Sequence, residues 1–147
     1  MAYASTGTAA PGGLRVLVVD DCQEMRERVR QALERAGLTV VGEAGDGAEA
    51  LVQAAARRPD VVLMDLHMPR MDGVQATRAL RRQQPQTRVV LWSGESDEHL
   101  ASALRHSGAD AGLLKGVGTA ELVAALRDAH RRAGRAPAPA VPQRAAP

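Results

Sequence analysis

Cysteine occurs once in this 147-residue chain, at Cys22, which excludes an intramolecular disulfide. No stretch approaches the run of about 18 apolar residues that a membrane-spanning helix needs. The N-terminus also lacks the basic-then-apolar order of a secretion signal. These absences favour a reducing cytoplasm. Large aromatic residues are nearly missing too: there is no phenylalanine, and only Tyr3 and Trp92 represent the class. Lysine is used once, at Lys115, against 18 arginines.

Acidic residues are absent beyond Asp128. All 17 lie between Asp20 and Asp128, and the chain up to that point carries 15 basic residues, a balance of −2 that the overall +2 conceals. The other four, Arg131, Arg132, Arg135 and Arg144, belong to an acid-free end. They raise the isoelectric point without placing a basic face on the folded part, so composition gives no nucleic-acid footprint there. A solvated basic end accounts for these charges more simply than attraction to anionic partners.

What is present is material for one well-buried core: 147 residues with 45% hydrophobic side chains build one domain rather than two. Residues 1–13 are small and unpatterned, and 136–147 (APAPAVPQRAAP) are Pro/Ala low complexity, so a domain over 14–132 is expected between disordered tails over 1–13 and 133–147. Within it, brief apolar runs at 14–19, 39–43, 61–64, 88–92 and 112–114 read as buried parallel strands. Met25, Val29, Ala32, Leu33 and Ala36 fall on one face of a helix over 23–36 that Gly37 stops, and further helices fit 48–56, 74–83, 97–106 and 119–132. Five strands alternating with five helices predict an α/β fold: a five-stranded parallel sheet with helices on both faces.

Ligands on such sheets bind at the carboxyl ends of the strands. Asp20 and Asp21 end the first predicted strand, Asp65 the third, Ser93 the fourth and Lys115 the fifth, so all five meet at one sheet edge. Three crowded carboxylates repel one another, and such a cluster normally holds a divalent cation; oxygen ligands favour Mg²⁺ or a similar hard ion. In a chain so biased toward arginine, a lone lysine at that edge is a candidate point charge for a phosphoryl oxygen. A positioned aspartate, already an anion near pH 7, can attack activated phosphorus without a general base, and the resulting acyl phosphate is labile.

Over about 14–132 the chain resembles the response-regulator receiver family. The resemblance rests on VLVVDD ending at Asp20 and Asp21, on VVLMDLHMPRMDG from Val61 to Gly73, and on the spaced Ser93 and Lys115. DGAEAL, from Asp46 to Leu51, and GAD, from Gly108 to Asp110, match similar family words. It implies the (βα)5 flavodoxin-like receiver fold and a Mg²⁺-dependent conformational switch. Asp65 would be the phosphoryl acceptor, and Asp20, Asp21, Asp65 and the backbone carbonyl of His67 would gather the ion. Ser93 and Lys115 would bind phosphoryl oxygens, and His67 and Glu95 would flank the path of the hydrolytic water. Pro69 and Gly73 suit the turn after the acceptor. The phosphoryl donor would be a sensor histidine kinase or a histidine phosphotransfer protein. The domain would not be an enzyme beyond slow self-dephosphorylation, and neither nucleic acid nor membrane is an expected direct partner. A homodimer through the last helices and strand is one assembly the family uses.

Two features depart from the family pattern. Gly112 stands where many receivers place Tyr or Phe, so the usual aromatic relay is excluded; the Ser93–Asp97 loop or Trp92 must transmit the signal instead. Gly116 follows Lys115 where a proline in a cis peptide is common, which predicts a looser loop. Segments Gly73–Val90 and Gly108–Gly116 are closest in flavour to receivers of NarL/FixJ-type regulators. Only 15 residues follow Arg132, too few for a helix-turn-helix, so the chain reads either as a single-domain regulator or as a fragment of a DNA-binding one. A phosphorylation-independent docking module is the second hypothesis, and a phosphatase using an aspartyl phosphate is the weakest, for want of a substrate-enclosing cap. Taken singly, Asp21 could be merely the N-cap of the first helix, Ser93 another cap and His67 a solvent-facing loop residue.

Overall fold

The computed structural model describes residues 13–94 and 97–133. The expected tails, apart from Gly13 and Ala133, and the candidate Glu95 lie outside these described residues. Strands β1 (Arg15–Val19), β2 (Thr39–Ala44), β3 (Val61–Asp65), β4 (Arg88–Ser93) and β5 (Ala111–Leu114) alternate with helices α1 (Gln23–Arg35), α2 (Gly47–Arg57), α3 (Gly73–Gln83), α4 (Asp97–Ser107) and α5 (Thr119–Ala133). All five strands pair in parallel, in the order β2-β1-β3-β4-β5. The order reverses at β1, which opens a crevice at the carboxyl ends of β1 and β3.

Local chemistry sets the helix ends. Asp46 caps α2 by accepting from the Glu49 amide at 2.8 Å. Asp72 caps α3 in a reciprocal box with Gln75, each side chain accepting the other's backbone N–H. Helix α1 ends in a left-handed Gly37 with φ +92°, where the Leu38 N–H reaches the Leu33 carbonyl and the Gly37 N–H that of Glu34. Its start corrects one expectation: the N-cap is Cys22 rather than Asp21, with no side-chain capping bond. The Asp21 carboxylate is thus not consumed as a cap.

Two buried layers sandwich the sheet. On one face Ala50 and Ala54 of α2, Ala76 and Leu80 of α3, and Leu100 and Ala103 of α4 pack over Leu17, Met64 and Leu91. On the other, Val29 and Leu33 of α1 and Leu122, Leu126 and Ala129 of α5 cover Val16, Leu63 and Trp92. Strands β1, β3 and β4 are almost wholly buried, as their apolar runs predict. The outer strands β2 and β5 are only half-buried, because an edge strand has a neighbour on one side alone. No described helix is long and apolar enough to cross a membrane.

Candidate functional site

Register and pleat bring the site together. Val19 pairs with Met64, Asp65 with Trp92, and Ser93 with Leu114, so Asp20 leaves β1 level with Asp65. Side chains alternate along each strand. Asp20 follows Val16 and Val18, Asp65 follows Val61 and Leu63, and Lys115 follows Leu113, placing these residues in line with Trp92 on the α1/α5 face. Ser93 follows Val89 and Leu91, which belong to the opposite layer. The Lys115 amide donates to the Ser93 carbonyl at 2.7 Å, tying the last two strand ends together.

One ammonium serves several carboxylates here. Lys115 Nζ lies 2.8 Å from Asp20 Oδ2 and 3.2 Å from Asp65 Oδ1. Asp20 is fully buried and Asp65 is 3% exposed, whereas Asp21 is exposed. A carboxylate oxygen from each of the three lies within 4.8 Å of the others. Asp20 Oδ1 accepts the Cys22 amide at 2.9 Å, but its buried Oδ2 has no hydrogen bond of good geometry and is balanced only by the Lys115 ion pair. With all four groups ionised the cluster carries −2, the charge a divalent cation cancels. An all-oxygen donor set with an underserved buried oxygen suits a hard ion.

The protonation equilibria show the same imbalance. Burial, reinforced by the charge of Asp20, pushes the Asp65 carboxyl up to about 6, with Lys115 pulling the other way. For Lys115, partial burial disfavours the ammonium, but its close contact with Asp20 and the charges of Asp65 and Asp20 outweigh this and hold its pKa above the ordinary lysine value. The shifts differ in kind because the lysine has two close carboxylates to itself, while each carboxylate has only a share of one lysine.

Backbone supports fix the frame. Arg26 Nη1 donates to the Asp20 carbonyl at 2.6 Å, while its Nε pairs with Glu43 at 3.1 Å; Glu43 is held in turn by Arg30 at 2.9 Å. Gly73 is required by close approach, since a Cβ there would sit 2.3 Å from the Asp65 carbonyl oxygen. Its amide donates to the Leu66 carbonyl at 2.9 Å, closing the turn expected of Pro69 and Gly73. At Gly112 a Cβ would meet Leu100 and Leu104 at 3.0–3.1 Å, so α4 fills the space an aromatic side chain would need. Gly116 has φ +105°, and no described peptide bond is cis.

The structure thus gathers Asp20, Asp21, Asp65 and Lys115, and anchors Ser93 beside them. His67 is exposed and lines a groove of about 230 Å³ together with Asp72, His99, Ser102 and His106. Sequence reasoning missed Arg26 as a brace for Asp20. Its nearness to the acidic pair was visible, but its Glu43 partner lies 17 residues away on another strand.

Known proteins are similar to this chain in sequence and fold. The profile of the family described as "Response regulator receiver domain" matches residues 16–127. The chain is 42% identical over 115 residues to response regulator GacA of Pseudomonas viridiflava, an alignment covering 78% of this chain and 54% of that protein. It is also 46% identical over 81 residues to a protein-glutamate methylesterase/protein-glutamine glutaminase of Hahella chejuensis, covering 55% of this chain and 23% of that protein. The solved receiver domain of the putative response regulator NarL from Mycobacterium tuberculosis superposes with a TM-score of 0.76 at 41% identity, covering 82% of this chain and 98% of that one. The chain spans about half the length of GacA and between a fifth and a quarter of that methylesterase.

Proposed function

Because this chain belongs to the response regulator receiver family, we propose that it is a phosphoryl-accepting signalling switch with Asp65 as acceptor, and that 14–132 is the working unit. One observation carries the assignment: three carboxylates converge at the crevice, a single ammonium pairs with two of them, and the cluster carries −2 when all four groups are ionised. Such frustration is costly for stability alone and useful for holding a cation and an anionic reactant together.

Asp20, Asp21, Asp65 and the His67 backbone carbonyl are the groups that would hold Mg²⁺. When bound, the ion supplies charge neutralisation at the carboxylates and at the incoming phosphoryl oxygens. An Asp65 carboxylate oxygen attacks phosphorus in line; the new O–P bond forms as the bond to the donor's leaving group breaks and that group departs with the electron pair. Lys115 stabilises charge on one equatorial oxygen, and the Ser93 hydroxyl donates to another, drawing its loop toward the site. Water later cleaves the acyl phosphate and restores Asp65, with His67 and Glu95 setting how readily that water approaches. The donor is a sensor histidine kinase or histidine phosphotransfer protein, and the domain acts in the cytoplasm as a substrate of signalling rather than as an enzyme.

The test is intact-protein mass after incubation with acetyl phosphate, with and without Mg²⁺. A Mg²⁺-dependent gain of one phosphoryl group in the native chain, absent from Asp65→Asn, is the expected result. Absence of an adduct in a native chain that still binds Mg²⁺ would overturn the proposal in favour of a docking module.

A further inference from the structure

Lys115 leaves β5 yet pairs with groups on β3 and β1, so its side chain has to cross β4 to reach them. Neighbouring strands are about 4.8 Å apart, so β3 lies two spacings from β5 and β1 three, a gap that the lysine stem and the carboxylates close from both sides. The β4 residue beneath is Trp92, which is level with Asp65 in the parallel register and on the same face. Lys115 Nζ sits 5.2 Å from the centroid of the Trp92 ring, inside the range where an aromatic face attracts an ammonium. Trp92 is itself 4% exposed and anchored in the layer that holds Leu122 and Leu126 of α5. Its indole Nε1 is buried without a hydrogen-bond partner. An aliphatic residue would fill that layer with no orphaned donor, but it would not offer a π face to the only lysine in the chain.

We infer that Trp92 is a positioning residue for phosphoryl transfer: its indole is the floor over which Lys115 crosses β4 and is held between Asp20 and Asp65. On the cleft side the lysine meets the carboxylates of Asp20 and Asp65, and on the sheet side the Trp92 ring. Without the ring, the long flexible stem would be free to turn away from the crevice toward water. With it, the ammonium is already on the acceptor side when phosphorus arrives, which saves ordering a mobile side chain during the reaction.

The inference rests on the proposed role of Asp65 only for its kinetic arm, and the lone lysine makes a second arm available. In protein labelled with ¹³C-lysine, the ε-methylene signal reports Lys115 alone. In the metal-free, unphosphorylated native chain it should be shifted upfield by the indole ring current. The shift should be partly kept in Trp92→Phe and lost in Trp92→Leu. With acetyl phosphate and Mg²⁺, adduct formation should slow about threefold to tenfold in Trp92→Leu and stay within about twofold in Trp92→Phe, the span expected of an ammonium–ring contact. Denaturation midpoints of both variants establish that they are folded; should Trp92→Leu not fold, the native signal and Trp92→Phe decide. A Lys115 signal at the free-lysine position in the native chain overturns the inference, as does a folded Trp92→Leu with unchanged signal and rate. If the ring-current shift is present and lost as expected but no adduct forms on the native chain, the positioning of Lys115 stands and only the role given to Asp65 falls.

Discussion

The two ends of the sheet treat their aspartates in opposite ways. At the amino ends of β4 and β5, Asp110 takes Arg81 at 3.1 Å, Arg88 at 3.2 Å and the Val89 amide at 2.8 Å. Asp60, just before β3, accepts the Arg15 amide at 3.0 Å and so ties β3 to β1. There Asp110 has three donors and Asp60 a backbone amide to itself. At the carboxyl ends three carboxylates crowd together with one ammonium that pairs with only two of them, and the most buried keeps an oxygen with no partner but that ion pair. Both ends lie on the same strands and use the same residue type. The difference is therefore not a matter of composition: one end is neutralised internally and stabilises the fold, while the other is left to be neutralised by something that binds.

Removing charge should have opposite signs at the two ends, and that is the sharpest way to break the comparison. Asp110→Ala strips a carboxylate from two arginines and an amide, and should cost about 3 kcal/mol in chemical denaturation; a loss below about 1 kcal/mol would mean the amino end is not the balanced one. Asp65→Asn should instead stabilise the metal-free protein at pH 7, by about 3 kcal/mol, the equivalent of moving a carboxyl from 3.8 to about 6. The folded state favours the protonated carboxyl, so the cost of ionised Asp65 is fully present above pH 6 and gone below about pH 4. The advantage of asparagine should accordingly shrink as pH falls through that window, and a gain that does not change with pH would point to repacking. Smallest is the response to Mg²⁺. At ten times its dissociation constant the ion should raise the stability of the native chain by about 1.4 kcal/mol. Asp110→Ala should keep that increment and Asp65→Asn should lose most of it, a contrast that thermal unfolding with and without chelator can read.

Much of this was legible from the chain alone. The apolar runs lie within a residue or two of the strands because buried parallel strands are apolar on both faces, and the candidates Asp20, Asp21, Asp65, Ser93 and Lys115 are placed by their position at strand ends. The exceptions have local causes. Taken singly Asp21 could be a cap in sequence, but the helix begins at Gln23 as its periodicity predicts, which makes Cys22 the N-cap. The edge strands read as buried like the central ones, although β2 carries Thr39, Gly42 and Glu43, and only strand order tells which two lack a second neighbour. The exposed position of His67, lining a groove with residues of α3 and α4, has no signature in the sequence around it.

By itself, the sequence determined the alternation of strand and helix, and hence the convergence of Asp20, Asp21, Asp65, Ser93 and Lys115 on one edge, because hydrophobic period and strand polarity are properties of local runs. Tertiary structure alone decided how charge is shared at that edge. Which carboxylates Lys115 reaches, that Trp92 lies under its path, and that Leu100 and Leu104 occupy the space at Gly112 all depend on strand order and on packing between distant segments. Those distances are set only when the sheet closes and its two layers pack, and no run of neighbouring residues encodes them.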